Sequence, residues 1–305
     1  MPIHAYLVVH PRAGPILVDT GISEAQARDH GRYYRGLTRL MFSAGVFDAD
    51  EYRLPEGQDL PTLLADLGFP TAAIGTVILT HLDEDHVGGL RHFPHATVVL
   101  PAAEWALQNE RVVGLPRYYG PSFAGVRRWR LVNFASGPRH DFAASEDVLG
   151  DGSLMLLPTP GHSGGHASLL VRLEEGNLLL AGDALYSLRH LDVDRLRPLI
   201  PGARARVDAY VDSVRHIRQL RETLPDLVIV PTHDQFAYQV DLLRPFLADG
   251  VLSADESRSL LAHEATLFDE AGHLRSEAMP RAADLELSGS GVGSSPTDQG
   301  RERHD

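Results

Sequence analysis

An apolar run, Val77-Ile78-Leu79, leads straight into Thr80-His81-Leu82-Asp83-Glu84-Asp85-His86, and Gly88-Gly89 follow after Val87. A short branched run of this kind reads as a buried strand. Side chains alternate across a strand, so the chain must turn after His81 if several of these groups are to face one point. Imidazoles and carboxylates crowded at a strand end repel one another or stay unpaired without a cation. Neutral imidazole with carboxylate is the ligand set that zinc, iron and manganese accept. Taken alone, the stretch also reads as a charged surface loop behind a core strand.

The same arrangement recurs along the chain. Leu154 to Leu157 reads as a strand ending in Pro158-Thr159-Pro160-Gly161-His162-Ser163-Gly164-Gly165-His166, whose glycines permit tight turns around a ligand. His162 is the next ligand candidate, and His166 stands one step further out. Leu178 to Ala181 reads as a strand ending in Gly182-Asp183, with Tyr186 close behind, and Leu227 to Val230 as one ending in Pro231-Thr232-His233-Asp234. One strand-end histidine is more often structural than a ligand. Separate strand ends delivering His81 to His86, His162, Asp183 and His233 point instead to a shared metal centre.

Around these motifs, residues 5–9 and 15–18 predict a hairpin that ends in Asp19-Thr20-Gly21. Asp19 reads equally as a turn starter and as a carboxylate that orients a ligand histidine. Ser23 predicts a helix cap, with the helix running to Tyr34. Tyr33, Leu37, Leu40 and Met41 recur at helical spacing within a segment that also holds Tyr34, Phe42 and Phe47. That stripe fits a core, the wall of an apolar pocket or a homodimer surface. Helices are expected over 59–67, 101–109 and 206–224, and another over 255–270. His92 and His95 read as surface residues. Tyr118, Tyr119, Phe123 and Trp129, with Arg127, Arg128 and Arg130, read as a loop-borne substrate rim.

Composition narrows the function. The net charge of -13 argues against nucleic acid as a general partner. The chain has no Cys, so disulfides and thiolate ligands are excluded. No apolar run approaches the roughly 20 residues that span a bilayer, and the N-terminus lacks a signal-peptide pattern. A cytoplasmic location without membrane contact is the expectation.

These motifs resemble the metallo-β-lactamase superfamily over about residues 5–245. His81-Leu82-Asp83-Glu84-Asp85-His86, Gly161-His162, Gly182-Asp183 and Thr232-His233 match its signature in order, and Asp19-Thr20-Gly21 looks like the family's early loop. Within it, Thr159 to Leu170, the position of Tyr186 and the aromatic segment look most like N-acyl-homoserine lactonases. The resemblance implies an α/β fold, an αββα sandwich of two mixed β-sheets flanked by helices. It implies a hydrolase domain over 1–279, followed by a tail at 280–305 whose Ser, Gly and Pro content predicts disorder.

The resemblance also implies a site. His81, Asp83 and His162 would hold one divalent metal, and Asp85, His86 and His233 a second, with Asp183 between them. Zinc is the expected pair. Asp83 stands where the family usually has a histidine; a carboxylate there suits iron or manganese as well, and could leave one position weakly held. A hydroxide between the metals would attack a lactone or ester carbonyl, with Tyr186 donating to the oxyanion and Asp85 carrying the proton to the leaving alkoxide. Hydrolysis of a thioester or phosphodiester, or a metal-binding scaffold weakened by Asp83, are the other readings.

Overall fold

The computed structural model describes residues 3–36, 39, 52, 54–112, 115–174, 176–186, 188–191 and 204–234. Strands β1 (Tyr6–His10) and β2 (Gly14–Val18) form the expected antiparallel hairpin. Strands β3 (Thr76–Ile78), β4 (Thr97–Pro101) and β7 (Arg128–Val132) extend it, all parallel to β2, into a five-stranded mixed sheet of order β1-β2-β3-β4-β7. A second five-stranded mixed sheet has the order β12-β11-β10-β9-β8. Its strands are β8 (Glu146–Asp147), β9 (Leu154–Pro158), β10 (Ala167–Leu173), β11 (Gly176–Gly182) and β12 (Leu227–Pro231). Between the two groups in the chain, β5 (Arg111–Val112) and β6 (Leu115–Pro116) make a small hairpin.

Period-two alternation explains why these runs carry so few polar residues. Leu17, Val77, Leu79, Val98 and Leu100 lie on one face of the first sheet. That face is covered by Leu64 of helix α3 (Leu60–Asp66), the third helix among the described residues, and by Leu90 and Phe93. Ile16, Val18, Ile78 and Val99 lie on the opposite face and are equally buried, because the second sheet packs there. A sheet buried on both faces must be apolar throughout. The sheets also meet through their backbones: the Ala167 amide donates to the Thr80 carbonyl at 3.0 Å.

The helix expected over 206–224 is α6 (Arg204–Thr223), the last in the described residues, which buries Tyr210, Val214, Ile217 and Leu220 at helical spacing. Val211, one step round the helix, is exposed. The layers are therefore helix, sheet, sheet, helix, the expected αββα sandwich.

The helix expected from Ser23 to Tyr34 is broken. Ser23 caps α1 (Glu24–Arg28), and Asp29 then turns the chain at φ -152° and caps a separate turn, α2 (His30–Tyr33), by accepting from the Arg32 amide. Each cap contributes about 1 kcal/mol, enough to start a new helix rather than continue the old one. The rim reading of 118–129 also fails for most of its members. Tyr118 and Phe123 belong to the core under the first sheet, and Trp129 packs on Trp105 with ring centroids 4.5 Å apart. Arg128 and Arg130 donate to the His95 and Val148 carbonyls. Leu37, Leu40, Met41, Phe42 and Phe47 of the aromatic stripe, the helix at 255–270 and the boundary at 279/280 lie outside the described residues.

Candidate metal centre

Topology gathers the site. Strands β2, β3 and β4 are parallel, so their carboxyl ends share one edge. Strands β9, β11 and β12 also run in one direction, since β10 is antiparallel to β9 and β11 while β12 is parallel to β11. Beyond β3 the chain bends at Thr80 and then makes the single turn α4 (Glu84–Val87). That turn lets His81, Asp83, Asp85 and His86 face the same space.

Two groups of ligand atoms result. Asp83 Oδ2 lies 3.3 Å from His81 Nε2 and 2.6 Å from His162 Nε2. Asp85 Oδ2 lies 3.3 Å from His233 Nε2 and 3.9 Å from His86 Nε2. Asp183 spans both: its Oδ2 faces His162 at 3.6 Å and His81 at 3.9 Å, while its Oδ1 faces His86 and His233, each at 3.2 Å. His81, Asp83 and His162 could hold one metal ion, and so could Asp85, His86 and His233.

One pair of these atoms is joined directly, His162 Nε2 to Asp83 Oδ2 by a 2.6 Å hydrogen bond, but others are left unpaired. His81 Nε2, His86 Nε2 and Asp183 Oδ1 are buried and make no hydrogen bond, close as they are. Buried polar atoms are nearly always satisfied, so lone pairs aimed at a common point imply a cation. The far side of each ring sets the tautomer. His86 Nδ1 donates to Asp19 Oδ2 at 2.8 Å. Thr80 Oγ1 donates its single proton to the same oxygen at 2.8 Å, so it must accept from His81 Nδ1 at 2.9 Å. In their neutral forms, the forms that can bind a metal, both histidines therefore present a bare Nε2 to the site. Asp19 is thus the orienting carboxylate, held at φ 54° with its Oδ1 accepting from the Thr80 amide.

His166 is not among the ligand atoms. Its Nε2 accepts from the Asp183 amide at 3.0 Å. Its Nδ1 donates into a relay: Ser168 Oγ donates to the Ala181 carbonyl, so Thr159 Oγ1 donates to Ser168 and accepts from His166. Burial, with His81 and His162 nearby, holds His166 well below the usual imidazole range, as a neutral ring. Burial acts against charge on Asp183 too, but His86 and His162 outweigh it and hold its carboxyl well below the usual range. Against burial, Asp183 and Asp19 in turn hold the His86 imidazole above its usual range, a proton that a metal at Nε2 would displace.

Tyr186 lies over the site. Its hydroxyl is 2.8 Å from His162 Nδ1, and its ring stacks on His233 at 5.7 Å. Burial and the surrounding Asp183, Asp83 and Asp85 push its phenol upward, so it stays protonated. His92 and His95 lie away from the centre as expected, His92 paired with Glu24 at 2.9 Å.

Sequence reasoning missed Glu104 and Arg117. Glu104, on α5 (Ala102–Ala106), is fully buried and accepts four hydrogen bonds. Leu82 N and Tyr118 Oη donate to Oε1, and Ser163 Oγ and Gly165 N to Oε2. It therefore pins the loop after β3 to the loop that carries His162. Gly165 serves this contact rather than a ligand, since a Cβ there would come within 2.1 Å of the Glu104 nitrogen. Arg117 Nη2 lies 3.3 Å from Asp83 Oδ2 and donates to the His162 carbonyl at 3.1 Å. A glutamate in a short helix and an arginine in a loop both look like surface residues, and no local signal marks them.

A five-on-five αββα sandwich with a histidine and aspartate centre at its strand ends defines a class of metallo-hydrolase. The Metallo-beta-lactamase superfamily model matches residues 1–233, and the chain belongs to that superfamily. It is 32% identical over 245 residues to the N-acyl homoserine lactonase AttM of Agrobacterium fabrum, covering 78% of this chain and 84% of that one. It is 29% identical over 253 residues to a probable metallo-hydrolase of Mycobacterium tuberculosis, covering 77% of this chain and 75% of that one. Among solved structures it is similar to a B. thuringiensis AiiA variant with N-decanoyl-L-homoserine bound at the active site. That match has a TM-score of 0.61 at 22% identity and covers 79% of this chain and 83% of the other.

Proposed function

We propose that this chain is a metal-dependent hydrolase that opens the lactone ring of N-acyl-homoserine lactones or closely similar esters. The observation that carries the reading is the division of Asp183: one oxygen faces His81 and His162, the other His86 and His233. Kinship with lactonases that are 32% identical over 245 and 246 aligned residues supports the substrate class.

In this reading His81, Asp83 and His162 hold one ion, Asp85, His86 and His233 the other, and Asp183 both. Zinc is the proposed metal, with iron or manganese admitted by the harder Asp83 oxygen. Two such ions supply Lewis acidity and make water acidic enough to act as a nucleophile near neutral pH. The protein's own groups do the rest. Asp19 and Thr80 fix the rings of His86 and His81. When His162 Nε2 serves as a ligand, its Nδ1 carries the proton and Tyr186 accepts it. The phenol hydrogen then turns away from His162, towards the oxyanion that forms on the substrate carbonyl. Asp85, partly exposed beside His233, carries a proton to the leaving alkoxide.

The test is metal content of the purified chain together with hydrolysis of N-hexanoyl- and N-decanoyl-homoserine lactone, followed by acid release. Two metals per chain and turnover that is lost in Asp183→Ala are expected. Two metals with thioester turnover but none on lactones would overturn the substrate, and fewer than two metals the mechanism.

A further inference from the structure

We infer that Arg117 is a positioning residue for the metal centre, forming a charge-compensated couple with Asp83; the inference rests on the two-metal reading above. A histidine at position 83 would be a neutral ligand, whereas Asp83 adds a negative charge to the first metal position. Excess ligand charge weakens a bound cation as a Lewis acid. Arg117 places the opposite charge against that carboxylate, with Nη2 3.3 Å from Asp83 Oδ2.

The guanidinium is built into the site rather than laid over it. Its side chain is only 9% exposed, so water screens it little. It stacks over the Tyr118 ring at 5.0 Å and has Glu110 Oε2 3.9 Å from its Nε. Tyr118 in turn donates to Glu104 at 2.7 Å, the hub that holds the two ligand loops. The nitrogen that faces Asp83 also donates to the His162 carbonyl at 3.1 Å. One group thereby orients two of the three ligands at the first position.

A fixed arginine beside a metal has a second consequence. Its charge repels the cation, and Asp83, the carboxylate that lies between them, offsets that repulsion most directly, with Glu110 against the same guanidinium from its Nε side. The identities of residues 83 and 117 should therefore be coupled. A neutral ligand at 83 is tolerated only if the charge at 117 goes as well.

The test is a double-mutant cycle read by zinc binding. Wild type, Arg117→Met, Asp83→His and the double variant are dialysed against buffered free zinc, and bound metal is measured per chain. Thermal melting confirms folding; Arg117→Gln, which also removes the charge, takes the place of Arg117→Met throughout the cycle should the latter not fold, and Arg117→Lys, which keeps the charge, is the control. We expect Asp83→His to need at least about tenfold more free zinc than wild type for its second equivalent. The double variant should return to within about threefold of wild type. Arg117→Met should keep both ions, with the acidic limb of its pH–rate profile moved up by about one unit, while Arg117→Lys keeps the wild-type profile. Equal zinc requirements for Asp83→His and the double variant would overturn the couple. The zinc cycle involves no substrate, so a failure of lactone turnover in wild type would overturn the substrate reading alone.

Discussion

The backbone amide of Asp183 donates to His166 Nε2 at 3.0 Å, so the carboxylate that spans the centre is aimed by a histidine that ligates nothing. The contact needs a neutral ring, which burial enforces. In the unfolded chain His166 takes up a proton near pH 6.5. The unfolded state thus binds more protons below that pH, and stability falls as the medium is acidified. His166→Gln, which can still accept from Asp183, removes this linkage. In chelator, urea unfolding at pH 7 and pH 5 should show a loss about 2 kcal/mol smaller in the variant than in wild type. Equal losses would show that His166 does not carry the proton.

Asp19 orients two of the proposed ligand histidines, one directly and one through Thr80. Asp19→Asn presents an amide hydrogen where an acceptor is required. Metal affinity should fall about 10–100-fold, as for other orienting carboxylates. Competition with a chromophoric chelator measures this, and unchanged affinity would refute the role.

Glu104 has an acceptor filled at every contact. Glu104→Gln sets an NH2 group against two donors, leaving buried groups unsatisfied at about 1–3 kcal/mol each. A fall of about 3 kcal/mol in unfolding free energy, with weaker metal retention, is expected from denaturant titration.

Tyr186→Phe separates chemistry from metal binding. Its hydroxyl is assigned to the oxyanion, so kcat should fall about 100-fold with both metals retained. Loss of metal in step with activity would instead mark the phenol as a support for His162.

Gly165→Ala brings a methyl group onto the α5 backbone. The loop bearing His162 must move, and melting should drop by several degrees or more, with about 1–3 kcal/mol lost to overpacking. An unchanged melting temperature would mean that this loop yields freely.

Much of this architecture was legible in advance. Each strand that frames the centre announced itself as an apolar run, and each ligand candidate stood just past its end, because burial selects apolar residues at a local period. The helix expected from Ser23 was misjudged since Asp29 caps a second turn, a choice that capping geometry makes and periodicity does not report. Phe123 and Trp129 looked like rim residues among Gly and Pro, yet they pack on Trp105, far away in the chain.

From the order of its residues alone, the chain determined which groups stand at the strand ends and that they are of the types that can bind a metal. Only the tertiary structure decided that Asp183 divides its oxygens between two sets of histidines, that Glu104 ties two ligand loops together, and that Arg117 faces Asp83. Strand runs and caps depend on neighbours within a few residues. These contacts join residues from different sheets and loops, and they exist only once register and sheet packing have set both partners in place.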